Sequence, residues 1–134
     1  MSTVVQHIAM NCIDPVRQQQ FYTTHLGFRR ARVFNEGAPD EFVMLRLGDC
    51  CLELFQAGPD ASSARGGEQP VGFKHLAFEV SDIRAKVRAL REAGMEMGEI
   101  IDCSEHVDGL HVCFFQDPEG NIIELMQGWH DEKE

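Results

Sequence analysis

The sequence predicts an α+β fold made of two paired β-α-β-β-β modules, and three repeated features carry that prediction. Residues 7–14 read His-Ile-Ala-Met-Asn-Cys-Ile-Asp and residues 75–82 read His-Leu-Ala-Phe-Glu-Val-Ser-Asp, so both stretches open on H-[IL]-A, continue for four residues and reach an aspartate. A segment with helical spacing follows each aspartate, closing on Leu26-Gly27 in one half and Ala93-Gly94 in the other. Glycine suits the left-handed conformation that ends a helix. Each half then finishes on a glutamate between two aliphatic residues: Leu52-Glu53-Leu54, whose glutamate lies 46 residues after His7, and Ile123-Glu124-Leu125, whose glutamate lies 49 residues after His75. Such self-similarity means one supersecondary unit used twice.

The elements follow in order. Residues 4–12, 41–47, 50–56, 73–80, 111–116 and 121–127 are short, rich in Val, Ile, Phe, Leu or Cys and bounded by turn formers, so they read as strands, with two weaker strand signals at 28–34 and 95–101. Asp14-Pro15 supplies an N-cap and a proline at the first helical position, opening a helix through about His25 with Val16, Gln20 and Phe21 spaced down one side. Asp82 caps a second helix in which Ile83, Val87 and Leu90 recur at helical intervals. Leu47-Gly48-Asp49-Cys50 and Asp117-Pro118-Glu119-Gly120-Asn121 form the last hairpin turn of each half. Module 1 spans about residues 4–56 and module 2 about 73–127, with 57–72 a Gly/Pro/Ser-rich connector, all within a single domain over 1–134.

Composition narrows the function classes. With 12 Lys+Arg against 22 Asp+Glu, the net charge of -10 repels phosphate backbones and anionic headgroups, which argues against nucleic-acid and membrane partners. No uncharged stretch approaches the roughly 20 residues that span a bilayer, and the first ten residues lack a basic segment followed by an apolar run, so a soluble cytoplasmic protein is expected. Cys12, Cys50, Cys51, Cys103 and Cys113 are odd in number and form no CxxC pair, so they read as reduced structural thiols.

Strand alternation brings four residues into question together. His7 shares its side with Val5, Ala9 and Asn11, and His75 with Ala77 and Glu79, opposite the apolar Ile8-Met10-Cys12 and Leu76-Phe78-Val80 sets. Glu53 and Glu124 are each flanked by aliphatic residues that face the core, which turns both carboxylates to the other surface of the sheet. A single strand histidine or glutamate would signify little. Four at equivalent places of a repeat signify more, because taking a carboxylate out of water costs several kcal/mol unless it is paired or binds a cation. His7, Glu53, His75 and Glu124 are therefore expected to hold one divalent metal ion, and mixed N/O donors suit Zn, Ni, Co, Fe or Mn better than Ca.

These residues closely resemble the vicinal oxygen chelate superfamily, which includes glyoxalase I, methylmalonyl-CoA epimerase, extradiol dioxygenases and the bleomycin- and fosfomycin-resistance proteins. The likeness covers nearly the whole chain and rests on His7, on Phe21-Tyr22-Thr23-Thr24-His25-Leu26-Gly27-Phe28 (the family's FYxxxLGF), on Leu52-Glu53-Leu54, on His75-Leu76-Ala77-Phe78, and on Asp117-Pro118-Glu119-Gly120-Asn121 with Ile123-Glu124-Leu125. It implies that the paired modules curl into an eight-stranded, cup-shaped mixed sheet around the metal. Ligands in the order His, Glu, His, Glu look like bacterial glyoxalase I and the related epimerases, which implies lyase or isomerase chemistry on a small molecule. A proton would leave the carbon alpha to a carbonyl, the metal would stabilise the enediolate or enolate, and Glu124 would act as base with Glu53 on the opposite side.

The same resemblance frames the alternatives, an antibiotic-sequestering or resistance protein and an iron-dependent dioxygenase. Glyoxalase I contacts glutathione through an Arg four residues after the first ligand and an Asn four residues after the second; Asn11 and Ala57 stand there, which argues against glutathione. The epimerase's second base would fall to Glu36 or Glu41. His106 lies on a loop before the seventh strand, Arg65 in the connector is placed to meet an anionic substrate, and Trp129 in the acidic tail packs either on its own chain or across the homodimer that family members often form. Module exchange between two subunits is one way such a cup is closed.

Overall fold

Apolar and polar side chains alternate along the first strand, and that alternation fixes the plane of everything after it. In β1 (His7–Cys12), Ile8, Met10 and Cys12 turn toward the core while His7, Ala9 and Asn11 stay exposed. The computed structural model describes residues 2–64 and 71–133, which divide into two units, Met1–Ala64 and Arg65–Glu134. The first unit continues with α1 (Pro15–His25), β2 (Arg29–Phe34), β3 (Phe42–Leu47) and β4 (Cys50–Gln56). The second runs β5 (Leu76–Glu79), α2 (Ile83–Glu92), β6 (Ile101–Asp102), β7 (His111–Gln116) and β8 (Ile122–Gln127). Each unit is thus one β-α-β-β-β module of the α+β class.

Each module carries a four-stranded mixed sheet, ordered β1-β4-β3-β2 in the first and β5-β8-β7-β6 in the second. The first and last strands of each module pair in parallel, and the remaining neighbours pair antiparallel through hairpins. A parallel neighbour needs a crossover, and the helix supplies it. Leu45, Leu52 and Leu54 are buried on the helix side of the first sheet, as are Cys113, Ile123 and Leu125 in the second. The helices begin alike. Asp14 accepts the Arg17 amide at 3.0 Å and Asp82 accepts the Ala85 amide at 3.1 Å, satisfying donors that the first turn leaves unbonded. They also end alike, on Gly27 (φ 79°) and Gly94 (φ 94°), as the repeated glycines predict.

Three expectations need correction. Val16 and Gln20 do not face the core: Val16 is 64% exposed, and Gln18, Phe21 and Tyr22 are the buried face of α1. The adjacent rings decide this, since Phe21 packs edge-on against Tyr22 at 5.1 Å and Tyr22 against Phe28 at 5.6 Å. Burying two neighbouring aromatics turns the helix far enough to bring Gln18, one turn earlier, inside. The strand expected at 95–101 shrinks to Ile101–Asp102 plus a bridge between Met97 and Phe115. There the backbone runs so close to β7 that a side chain at Gly98 would meet the Phe114 carbonyl. Finally, the first strand of each unit begins three residues late, β1 at His7 rather than 4 and β5 at Leu76 rather than 73, so His75 stands just before its strand.

One irregularity interrupts the first sheet. Between Arg30 and Arg32 the register of β2 against β3 shifts by one residue, leaving Ala31 as a bulge. Among the described residues no helix is long and apolar enough to cross a membrane.

The β7–β8 turn is held by one side chain. Asp117 is buried, and its carboxylate accepts the Glu119 amide at 2.9 Å, the Asn121 amide at 3.0 Å and the Asn121 side-chain amide at 2.8 Å. Asp117→Ala strands those donors and is expected to cost about 2–3 kcal/mol of unfolding free energy, read from a urea denaturation curve. The cysteines give a second check. All five are free thiols, with Cys12, Cys51 and Cys113 buried and Cys50 and Cys103 half-buried. Burial pushes the Cys113 thiol up, with Arg91 opposing and Glu99 adding to the shift. Cys113 therefore contributes full stability below the unfolded thiol's range and loses it as pH rises through its raised folded value. In thiol labelling of the native protein at pH 8, Cys50 and Cys103 are expected to react first, and Cys113 only on denaturation.

Candidate metal centre

Strand register sets each pair of predicted ligands. In the first unit Ala9 is the partner of Glu53, and in the second Ala77 is the partner of Glu124, so the histidine lies two residues before the alanine in both. His7 Nε2 stands 3.5 Å from Glu53 Oε1, and His75 Nε2 stands 2.9 Å from Glu124 Oε1. The carboxylates are the shielded partners, their side chains 15% and 14% exposed against 43% and 28% for His7 and His75. The small alanine beside each glutamate leaves the imidazole room to lean over it.

These donors fit a metal ion. Two ligands each about 2.1 Å from one ion, at tetrahedral or octahedral angles, lie roughly 3.0–3.4 Å apart. The observed separations bracket that value. His7 Nδ1 also meets the side-chain oxygen of Gln6, and a proton on Nδ1 leaves the Nε2 lone pair turned toward a carboxylate oxygen. Two acceptors so placed need a cation or a proton between them. The His75 ring is fixed differently, edge-on to Phe114 with centroids 5.7 Å apart. Among the described residues no group of three or more His, Cys, Asp or Glu side chains gathers as a metal site, so each unit shows a pair.

Two glutamines brace the pairs, and sequence reasoning passed over them. Gln56, three residues after Glu53, donates to the Cys12 carbonyl at 3.3 Å and to the Ile13 carbonyl at 2.9 Å. Gln127, three residues after Glu124, accepts the Ile83 amide at 2.8 Å. Each ties the end of its glutamate strand to the start of its helix. The signal was available as Glu-Leu-Phe-Gln and Glu-Leu-Met-Gln at matching places of the repeat. A second overlooked contact joins His111 Nε2 to Asp102 at 3.9 Å, while Ser104 donates to the same carboxylate and, with its backbone amide, holds Asp102 below the usual carboxylate range.

The remaining candidates make other contacts. His106 is exposed in the turn following Cys103, and its amide donates to the Cys103 carbonyl. Glu41 accepts the Gly37 amide at 2.9 Å, and Glu36 is exposed in that turn. Asn11 is exposed opposite Phe55, and the Ala57 amide donates to the Cys12 carbonyl. Trp129 is half exposed, its indole donating to Asp131 at 2.7 Å. Arg65 lies outside the described residues.

Comparison with known proteins supplies the family. The model of the Glyoxalase/Bleomycin resistance protein/Dioxygenase superfamily matches residues 4–125. The uncharacterized protein YwkD of Bacillus subtilis is 30% identical over 128 residues, covering 92% of this chain and 95% of its own. Lactoylglutathione lyase of Pseudomonas aeruginosa is 27% identical over 148 residues, covering 92% of this chain and 82% of its own. A glyoxalase family protein from Enterococcus faecalis superposes with a TM-score of 0.75 at 29% identity, over 92% of this chain and 96% of that one. A βαβββ module used twice, with an equivalent histidine–glutamate pair in each copy, and a match across residues 4–125 place the chain in the Glyoxalase/Bleomycin resistance protein/Dioxygenase superfamily.

Proposed function

We propose that this chain is a divalent-metal-dependent enzyme of lyase or isomerase type, which removes a proton from the carbon alpha to a carbonyl of a small molecule. One observation carries the proposal: the same histidine–glutamate pair recurs at the same register of both modules. His7, Glu53, His75 and Glu124 would hold one Zn, Ni, Co, Fe or Mn ion, whether one chain supplies both pairs or two copies in a homodimer share them. The ion, when bound, supplies Lewis acidity toward two neighbouring oxygens of the substrate. The protein's own groups do the rest. Glu124, shielded from water and flanked by the His75 imidazole, takes the proton as base, and Glu53 serves the opposite side. Ala9 and Ala77 keep the strand surface beside the two carboxylates low enough for a substrate to approach. Glutathione is not the expected co-substrate, because Asn11 stands where it would meet a cation and Ala57 where it would meet a side-chain amide.

Metal analysis of the protein as purified, followed by titration after chelation, checks the ligand set. His75→Ala and Glu124→Ala are each expected to weaken metal affinity by more than about 100-fold, the upper end for loss of an outer-shell group. Unchanged affinity in both variants would remove the metal from the account. Catalysis is checked by solvent deuterium exchange into α-hydroxycarbonyl compounds, where Glu124→Gln should slow exchange by about 10² to 10⁴-fold. Oxygen consumption without exchange would replace this reading with an iron dioxygenase, and tight ligand binding with neither would replace it with a sequestering protein.

A further inference from the structure

The sheet surface that carries His7 and Glu53 also carries a row of stacked rings. Across the first unit, Phe55 of β4, Phe42 of β3 and Phe34 of β2 line up on that surface. The centroids of Phe42 and Phe55 are 4.4 Å apart at an interplanar angle of 25°, and those of Phe34 and Phe42 are 4.6 Å apart at 6°. Phe55 follows Glu53 by two residues, about 6.6 Å further along the same face. The neighbouring row contains Glu53, Met44 and Arg32, and the Arg32 guanidinium carbon stands 5.9 Å from the centre of the Phe34 ring. The ladder therefore begins beside the metal pair and ends under a cation.

Folding does not require these rings. In the second unit the same row is Ile101, Val112 and Met126, which are aliphatic, and that sheet closes in the same order. Nor does the charge follow the rest of the chain. The protein carries a net charge of -10, yet Arg29, Arg32 and Arg46 all lie on this face of the first sheet. Rings that are half-buried rather than sealed, with a guanidinium at their end, match a flat apolar ligand bearing a negative charge. A row of rings stacked on one another turns its edges outward, and ring edges favour the face of another planar ring, while guanidinium favours a carboxylate, whose two oxygens its fork can meet together.

We infer that Phe55, Phe42, Phe34 and Arg32 form a recognition subsite for a planar aromatic carboxylate, lying against the ladder with its carboxylate on Arg32. The inference deepens the proposed function and rests on it only in taking the His7–Glu53 surface as the side from which substrate is bound. The bulge at Ala31 is what brings Arg32 and Phe34 to this surface.

The test is titration of the whole chain, as purified and with its metal content measured in the same sample, against 2-naphthoate, cyclohexanecarboxylate and 2-naphthylmethanol. Binding of 2-naphthoate is expected to exceed that of both comparators, which lack either the plane or the charge. Arg32→Gln should weaken 2-naphthoate about tenfold and leave 2-naphthylmethanol unchanged. Phe34→Leu should weaken both naphthyl compounds roughly three- to tenfold. Arg30→Gln, on the opposite side toward Gln19, should change neither. If Phe34→Leu fails to fold, the Arg32→Gln contrast decides alone. Equal affinity for 2-naphthoate and cyclohexanecarboxylate, or indifference to Arg32→Gln, overturns the subsite. A sample that takes up no added Zn, Ni, Co, Fe or Mn yet keeps the pattern supports the subsite while sinking the metal reading, and a metal-loaded sample without the pattern does the reverse.

Discussion

Parallel pairing between the first and last strands of each module is the constraint on which the rest depends. Because side chains along a strand alternate with period two, a one-residue slip of β4 against β1 would carry Glu53 to the helix side and bring Leu52 and Leu54 out to water. The buried leucines forbid that slip. They hold the glutamate opposite Ala9, and the histidine two residues earlier then has one direction in which to lean. The second module repeats the logic with Ile123 and Leu125 around Glu124. An apolar core thus sets polar chemistry on the opposite surface.

What keeps the two strands in that relation is the crossover helix, and it is anchored at both ends by polar contacts that the repeat duplicates. An aspartate caps the first turn, and a glutamine from the last strand bonds the backbone where the helix begins. The two glutamines use opposite halves of the amide: Gln56 donates to carbonyls, whereas Gln127 accepts from an amide. The position is shared while the bond is not. A residue able to both donate and accept suits a site copied twice into backbones that differ by a few residues in length.

The modules, the strand order along the chain and the pairing of one histidine with one glutamate in each module were legible in the sequence because each rests on period-two alternation or on a repeated turn former. Where the sequence misled, a stronger local force had intervened. The ring pair Phe21-Tyr22 outweighed the Val16 and Gln20 spacing, and the close approach at Gly98 broke the strand expected around residues 95–101. The ladder of Phe34, Phe42 and Phe55 was not legible, since its members come from three strands and meet only through cross-strand register. The His111–Asp102 contact was hidden for the same reason.

The bulge at Ala31 has a consequence for how such a surface changes. Upstream of it Arg29 opposes Arg46 and Arg30 opposes Leu45; downstream, Arg32 opposes Met44 and Phe34 opposes Phe42. Were Ala31 to take a regular place opposite Met44 instead of bulging, Arg32 and Phe34 would trade sides with Val33, so a cation would point at the helix and a valine would take the ring's place. Ligand preference here is written partly in register: forcing one alanine of an edge strand into the ladder would rewrite the surface as thoroughly as replacing three side chains, while leaving the histidines and glutamates where they are.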